Sequence, residues 1–373
     1  MTYFDKTVIQ ERVKRFFIKS IEQNRLAHAY IFYGGEGRGK EAFAFELAKA
    51  VNCLAEDSRP CNTCSSCVKI NKFSHPDLQY FFSRPKKKNE QELNELVKKM
   101  IKKKAENIYR SLPVQGHRRI HIEMIRQLKN EAKYAPYEAK KRFFIISDAH
   151  LFTREAANSF LKLLEEPPEN LHIILITNEL NLLLDTIRSR CQPVYFPLFT
   201  EQQIKNIVKR YHSFEGDLTS LIRMAQFNID KVFGFLEDDP AEKRELVYAL
   251  FQNIARNDIA AVLEIIDRIT APRDKNLVAE FLSFMILWLR DAMNLLITGE
   301  ENSLVNIDYN EAIGKFAHYF EAADFASIIT LVERARFDIE RNGHPALTLT
   351  NLALNMSEAL KRKTSVHVHE EAL

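Results

Sequence analysis

Glycine and proline are scarce in this sequence. Ten glycines and twelve prolines among 373 residues make up about 6% of the chain, roughly half the usual share. Because these residues punctuate turns and interrupt helices, their scarcity predicts that helices dominate. Apolar residues account for 46% and charged residues for 28%, a composition that excludes a disordered chain. At roughly 150 residues per domain, the length predicts two or three domains.

Long apolar runs are also lacking. The longest spans 281–289 around Ser283 and is far shorter than the ~18 residues that a membrane-spanning helix needs. The first ten residues include Asp5 and Lys6 and contain no apolar stretch of the signal-peptide kind. We therefore expect a soluble, cytoplasmic protein without a membrane partner.

A strong charge of one sign is missing as well, since the net charge is only +3. This balance supplies no global field that would favour nucleic acid. The chemically informative residues are nevertheless concentrated in three places. Segment 84–110 carries ten Lys or Arg against four Glu, four of the five cysteines fall within 53–67, and four of the ten glycines fall within 34–39.

The order of hydrophobic patterns divides the chain. Over residues 1–199, β-prone apolar runs alternate with helical patterns, which predicts a parallel sheet covered by helices on both faces. Residues 200–240 have the pattern of a small helical domain, and 241–362 that of an all-α domain. Residues 363–373 lack periodicity and are expected to form a frayed tail.

The glycine cluster has the form of a phosphate-binding loop. Residues 34–40, Gly-Gly-Glu-Gly-Arg-Gly-Lys, fit the pattern G-x-x-x-x-G-K between a predicted strand and a predicted helix. In such a loop backbone N–H groups converge on phosphate oxygens, and the lysine binds the outer phosphates. Gly34, Gly39 and Lys40 are therefore candidate nucleotide-binding residues. The alternative is a tight turn retained from a nucleotide-binding ancestor.

The groups that would serve Mg²⁺ are absent from this loop and its partner strand. Glu41 stands where the pattern requires the Ser or Thr whose hydroxyl holds the metal. After the apolar strand 143–146, Ser147 and Asp148 stand where active ATPases of the AAA+ type place Asp and Glu. Binding of ATP and Mg²⁺ by this chain is thus doubtful, and we expect no hydrolysis.

The cysteine cluster predicts a metal site. Cys53, Cys61, Cys64 and Cys67 follow the spacing C-x7-C-x2-C-x2-C, and four thiolates supply a closed tetrahedral Zn²⁺ site with structural rather than catalytic character. Disulfides are disfavoured without a secretory context. Redox chemistry and an iron–sulfur cluster remain as alternatives to zinc.

Several short motifs follow one another in a fixed order. They are His28-Ala29, Gly39-Lys40, the four cysteines, His75-Pro76-Asp77, Ala157-Asn158, Leu164-Glu165-Glu166-Pro167-Pro168 and Ser189-Arg190-Cys191. With this combination the sequence resembles the bacterial clamp-loader AAA+ family. The matching region covers about residues 1–240, and the helical remainder suits the collar domain of that family. The degenerate loop resembles that of a family member that does not hydrolyse ATP.

The resemblance implies an α/β P-loop (AAA+) domain with a zinc module at 53–67, followed by a small helical lid domain and an all-α collar for oligomerisation. Arg190, with Ser189, would act in trans as an arginine finger on ATP bound with Mg²⁺ by a neighbouring subunit. An ordinary surface arginine, like Arg188, is the alternative. The implied partners are the gamma/tau ATPase and delta subunits, the sliding clamp, and primed DNA reached through the assembled complex.

Two other functions remain open, an active ATPase subunit of the same machine that tolerates Glu41 and a zinc-containing DNA-binding protein. Segment 84–110 has apolar residues at helical spacing and is expected to be a helical insertion, either solvated or in contact with DNA or a partner. Glu165 and Glu166 lie at a helix C-terminus, which disfavours carboxylates, and indicate either a specific contact or a solvated end. Thr177-Asn178 falls where the family carries its first sensor.

Overall fold

The computed structural model describes residues 2–5, 7–85, 90–112, 118–214, 218–301 and 304–361. The chain folds into two compact units, Met1–Gly234 and Phe235–Leu373. A finer division of the first unit at residue 200, with a separate lid, stays a prediction, and the expected tail at 363–373 lies outside the described residues.

The first unit is built on a five-stranded parallel sheet. Its strand order is β4-β7-β8-β2-β9, and two further pairs of very short strands, β1 with β3 and β5 with β6, lie outside it. The sequence-based prediction of a parallel α/β core is thereby confirmed. The strands are β1 (Thr2–Tyr3), β2 (Ala29–Tyr33), β3 (Ser58–Arg59), β4 (Leu78–Phe81), β5 (Arg84–Pro85), β6 (Arg118–Arg119), β7 (Arg142–Ile146), β8 (Leu171–Thr177) and β9 (Gln192–Tyr195).

Helices cover both faces of this sheet because the strand residues are apolar on both sides. Ile31 and Phe144 belong to one buried cluster with residues of α5 and α6, whereas Phe32 and Ile145 belong to a second with residues of α1 and α2. The helices are α1 (Glu11–Glu22), α2 (Lys40–Asn52), α3 (Ser65–Asn71), α4 (Glu90–Glu106), α5 (Ile122–Glu131), α6 (Arg154–Glu165), α7 (Asp185–Arg188), α8 (Glu201–Tyr211), α9 (Leu218–Met224) and α10 (Ile229–Glu237), which runs past the end of the unit.

Polar caps explain where two of these helices begin. The Thr153 hydroxyl accepts a hydrogen bond from the Ala156 N–H at the start of α6. Thr200 and Gln203 form a reciprocal capping box at the start of α8. Such caps satisfy backbone N–H groups that have no partner within the helix. Both helices therefore start directly after a threonine whose side chain caps the helix.

The described part of the second unit is helical. Its central helix α13 is the one described helix long and apolar enough to cross a membrane, but more than half of that stretch is buried in the unit, as in a core helix. Trp288 of this helix stacks on Phe251 with ring centroids 5.9 Å apart. The helices are α11 (Ala241–Arg256), α12 (Ile259–Thr270), α13 (Lys275–Thr298), α14 (Asn310–Tyr319), α15 (Phe325–Glu340) and α16 (Pro345–Lys361).

Candidate functional site

The glycine loop joins β2 to α2, and three of its glycines adopt left-handed backbone angles. The φ angles are +133° at Gly34, +65° at Gly37 and +71° at Gly39. A side chain would also collide with neighbours, since a Cβ would lie 2.6 Å from the Phe196 carbonyl oxygen at Gly34 and 2.5 Å from the Phe199 ring at Gly39. The loop therefore needs glycine both for its conformation and for its close packing.

Lys40 is turned back onto the loop that precedes it. Its Nζ donates to the carbonyl oxygens of Gly34 at 2.6 Å and Gly35 at 2.5 Å, and to Oδ1 of Asn178 at 2.9 Å. Burial lowers the pKa of Lys40 to about 8, although the nearby Glu41 carboxylate acts in the opposite direction. The candidate sensor Asn178 and the candidate phosphate-binding lysine are thus brought together, and they bind each other.

The two positions that lack Mg²⁺ ligands are in direct contact. The Ser147 hydroxyl donates to Glu41, and Tyr80 donates to the same carboxylate at 3.1 Å. The Lys104 ammonium forms an ion pair with Glu41 and donates to the Arg110 carbonyl oxygen at 2.7 Å. Burial opposes ionisation of Glu41, but Lys104 and the two hydroxyls outweigh it and hold the pKa of the carboxyl below its usual range.

Asp148, at the position of the catalytic glutamate of active AAA+ enzymes, is held by other groups. The Ser83 hydroxyl donates to its carboxylate at 2.6 Å, and the Arg118 guanidinium lies 3.6 Å from the same oxygen. Its φ is +56°, an uncommon backbone conformation for a residue with a side chain. The carboxylate is therefore engaged in local contacts.

Lys104 is a charged site residue that sequence reasoning missed. It belongs to the basic segment 84–110, in which α4 is helical over Glu90–Glu106, and its side chain is only 2% exposed. The spacing of α4 contained a signal, because Val97 and Met100 form part of an apolar stripe and Lys104 lies one turn beyond Met100 on the same face. Met100 is itself buried.

The four cysteines converge as their spacing predicts. Cys53 follows α2, Cys64 caps α3 and Cys67 lies within it, and the Sγ atoms of these three and Cys61 all lie within 4.8 Å of one another. The Cys64 N–H donates to Cys61 Sγ at 3.3 Å. Although burial opposes ionisation, such bonds, with those from Thr63, lower the pKa of Cys61 to about 5. Four close thiol groups are a donor set that can bind a metal ion.

The His75-Pro76-Asp77 motif has a structural role in this fold. Asp77 is 1% exposed, and its carboxylate accepts hydrogen bonds from three consecutive backbone N–H groups, at residues 137–139, over 2.7–2.9 Å. The His75 Nε2 atom lies 3.3 Å from the hydroxyl of Ser66, a residue that lies between Cys64 and Cys67 in the sequence. The motif thereby joins the cysteine module and the segment before β7 to the start of β4.

Arg190 lies on the surface between α7 and β9. Its side chain is 36% exposed, and its guanidinium binds Glu165 at 2.9 Å, the Thr186 carbonyl oxygen at 2.9 Å and the Ser189 hydroxyl at 3.3 Å. The carboxylate at the end of α6 therefore makes a specific contact. Cys191 is buried, and burial raises the pKa of its thiol to about 12, which fits a packing residue.

Arg190 and the glycine loop lie at opposite ends of two neighbouring strands, β9 and β2. Gly34 directly follows β2, whereas Arg190 precedes β9, and the two strands are parallel with Tyr30 beside Gln192 and Tyr33 beside Tyr195. The paired residues alone span about 10 Å. The backbone of Arg190 is therefore separated from the loop of its own chain by at least the length of these paired strands.

A parallel sheet with a glycine loop at the carboxyl end of an inner strand defines the class of P-loop α/β proteins. Within this class, the sequence model of the family described as DNA polymerase III, delta subunit, matches residues 9–200, more than half of the chain. The chain belongs to this family and is a DNA polymerase III clamp-loader subunit.

The chain is similar to several individual DNA polymerase III proteins. The chain is 28% identical to DNA polymerase III subunit delta' of Bacillus subtilis over 94% of its own length and 97% of that protein. It is 32% identical to subunit gamma/tau of Mycoplasma pneumoniae over 55% of its own length and 25% of that protein. A gamma subunit-related protein from Thermotoga maritima is a structural relative with 15% identity, a TM-score of 0.43, and coverage of 94% and 99% of the two chains.

Proposed function

We propose that the chain is a delta-prime-type, non-hydrolysing subunit of the DNA polymerase III clamp loader. The similarity to a delta' subunit over nearly the whole of both chains supports this function. The partners would be the gamma/tau ATPase and delta subunits, and the assembled complex would load the sliding clamp onto primed DNA. The helical second unit would serve as the collar that joins it to its neighbours.

The single observation that carries the non-hydrolysing role is the bonding of Glu41 to Ser147 and Lys104. A carboxylate paired with an ammonium replaces the hydroxyl and carboxylate that would bind Mg²⁺. Lys40 supports the same conclusion, since its ammonium is bound by its own loop.

Arg190 would complete the ATP site of a neighbouring subunit. Its exposure supports a role in trans, as does its position before β9, at the end of the strands opposite the glycine loop. A guanidinium stays charged at all relevant pH values and can place two donors on developing phosphate charge, which is worth about 10³–10⁵ in rate at the site it serves. Glu165 would hold the side chain until a neighbour presents its phosphates.

The cysteine module would hold a structural Zn²⁺. Its four thiolates leave no open coordination position for a substrate, and the module is anchored through Ser66 and His75 to the sheet domain. The metal would link the end of α2, through Cys53, to the start of α3, through Cys64 and Cys67.

The test is Arg190→Ala in a complex reconstituted with gamma/tau and delta subunits, with Arg188→Ala as the matched surface control. We expect Arg190→Ala to abolish the ATP turnover contributed by the adjoining site and to slow clamp loading, while gel filtration shows intact assembly. Unchanged turnover and loading would refute the finger. Robust ATP hydrolysis by the isolated chain would instead favour the active-ATPase alternative.

A further inference from the structure

We infer that the basic insertion fills the nucleotide site of its own chain, with Lys104 in place of the divalent cation and Tyr109 covering the glycine loop. This inference rests on the proposed function, because that function identifies the loop as a degenerate nucleotide site. It adds the cause of exclusion, an internal occupant, and it assigns a role to segment 104–111.

The first step concerns the cation. Glu41 and Ser147 stand at the two sequence positions that hold Mg²⁺ in active relatives of the P-loop class, and the Lys104 ammonium pairs with Glu41 while Ser147 donates to it. The ammonium thus supplies the positive charge that the Glu41 carboxylate requires. With the ammonium buried at this point, a hydrated divalent ion and the phosphate it bridges have no place.

The second step concerns the surface of the loop. The edge of the Tyr109 ring lies 3.4 Å from where a Cβ of Gly39 would be, and the ring packs against Phe199 and Tyr211 with centroids 6.4 and 5.8 Å apart. At Gly37 a Cβ would lie 1.8 Å from Oδ1 of Asn228. Two glycines that would approach phosphates are therefore covered by side chains of the same chain.

The third step concerns what holds the segment in place. The Arg110 guanidinium binds both the carboxylate of Asp230 at 2.8 Å and its carbonyl oxygen at 2.7 Å, and the Ser111 N–H donates to the same carboxylate at 3.0 Å. Ile108 packs against the apolar cluster on the α2 side of the sheet. These contacts fix the residues on either side of Tyr109.

The burial of Lys104 is selective within a run of lysines. Lys98, Lys99, Lys102 and Lys103 of the same helix are exposed, whereas Lys104 is 2% exposed. A solvated charge run would leave all of them in water. The helix therefore directs the Lys104 ammonium to Glu41 at the start of α2, while the other four lysines remain exposed.

The test compares nucleotide binding by full-length variants, measured calorimetrically with ADP and ATP in Mg²⁺. One variant restores the cation side by Glu41→Thr and Ser147→Asp and keeps the insertion intact. A second adds Lys104→Ala and Tyr109→Ala. A matched control instead adds Lys103→Ala and Tyr134→Ala, which change the same residue types at exposed positions. Circular dichroism verifies folding of each.

We expect the second variant to bind nucleotide more tightly than the other two, by about tenfold or more. Equal binding by the restored variant with its insertion intact would overturn the inference, as would a lack of binding after Lys104 and Tyr109 are removed. Binding of MgATP by the native chain would overturn it as well. None of these outcomes bears on Arg190, whose assay reports turnover at a neighbour's site.

A second measurement uses the native sequence and does not depend on the folding of multiple variants. Acetylation followed by mass spectrometry should modify Lys104 about tenfold or more slowly than Lys103, because burial withholds its amine. Asp230→Ala should release the segment and raise the rate at Lys104. Equal reactivity of the two lysines in the native chain would contradict an internal occupant.

Discussion

Removing the charge of Glu41 should destabilise the first unit markedly. Glu41→Gln leaves the Lys104 ammonium, which is 2% exposed, without its counter-charge, and breaking a buried pair in this way costs about 3–5 kcal/mol. Because Glu41 itself is 24% exposed, we expect the lower end, about 3 kcal/mol. Lys104→Met keeps the length of the side chain and leaves Glu41 with Ser147 and Tyr80, so its cost should be about 1–2 kcal/mol.

The double variant, Glu41→Gln with Lys104→Met, should lose less free energy of unfolding than the two single variants lose in sum, with a coupling energy of about 2 kcal/mol. Trp288, the single tryptophan, lies in the second unit and cannot follow this change. Hydrogen exchange of peptides that contain β2 and β7 provides the measurement. Asp185→Asn, in an exposed pair with Arg188, is the control and should change little. Additive costs, or a Glu41→Gln effect no larger than the control, would refute a buried ion pair.

Two further predictions concern the sheet and the cysteines. Asp77→Ala leaves three backbone N–H groups without their acceptor and should cost about 3 kcal/mol or more. Burial raises the pKa of Asp77, but these three hydrogen bonds outweigh burial and hold the pKa below its usual value. The stabilisation that they provide is therefore present above pH ~4 and is lost as the pH falls through the pKa of the folded state. Asp77→Asn should reduce the loss of stability at low pH, measured by hydrogen exchange of peptides that contain β4. An unchanged pH dependence in this variant would contradict the role of the Asp77 carboxylate. Cys64→Ser should lower the bound zinc, which we expect at about one per chain, and should speed hydrogen exchange of peptides from α3. Metal analysis of Cys191→Ser, the control, should show unchanged zinc. A native chain without metal would contradict the zinc site.

Much of the first unit was predictable because its strands are short apolar runs bounded by turn residues. The run that follows Arg142 is buried at every position, and no amphipathic alternative fits it. Boundaries were less certain. The last strand, Gln192–Tyr195, ends two residues before Pro197, because the register with β2 rather than the position of the prolines determines where pairing ends.

The site was predictable only where its residues are close in sequence. The four cysteines lie within fifteen residues, and their spacing alone indicates that they converge. Lys104 and Glu41 are far apart, and no local pattern joins them. A charge count of segment 84–110 could not separate Lys104 from its exposed neighbours, since that difference arises from the face of α4 that meets the sheet domain.

Glu41, beside the glycine loop, and Lys104, in the basic segment, depend on each other physically. A buried ammonium at Lys104 needs a carboxylate within reach, and Glu41 provides it at the position where a hydroxyl would otherwise stand. Restoring threonine at position 41 alone would therefore leave Lys104 buried and unpaired, which costs more than the loss of one hydrogen bond. Removing Lys104 alone would leave Glu41 partly buried, with hydroxyl donors in place of its counter-charge. Neither change by itself regenerates a site for Mg²⁺, so recovery of nucleotide binding should require both.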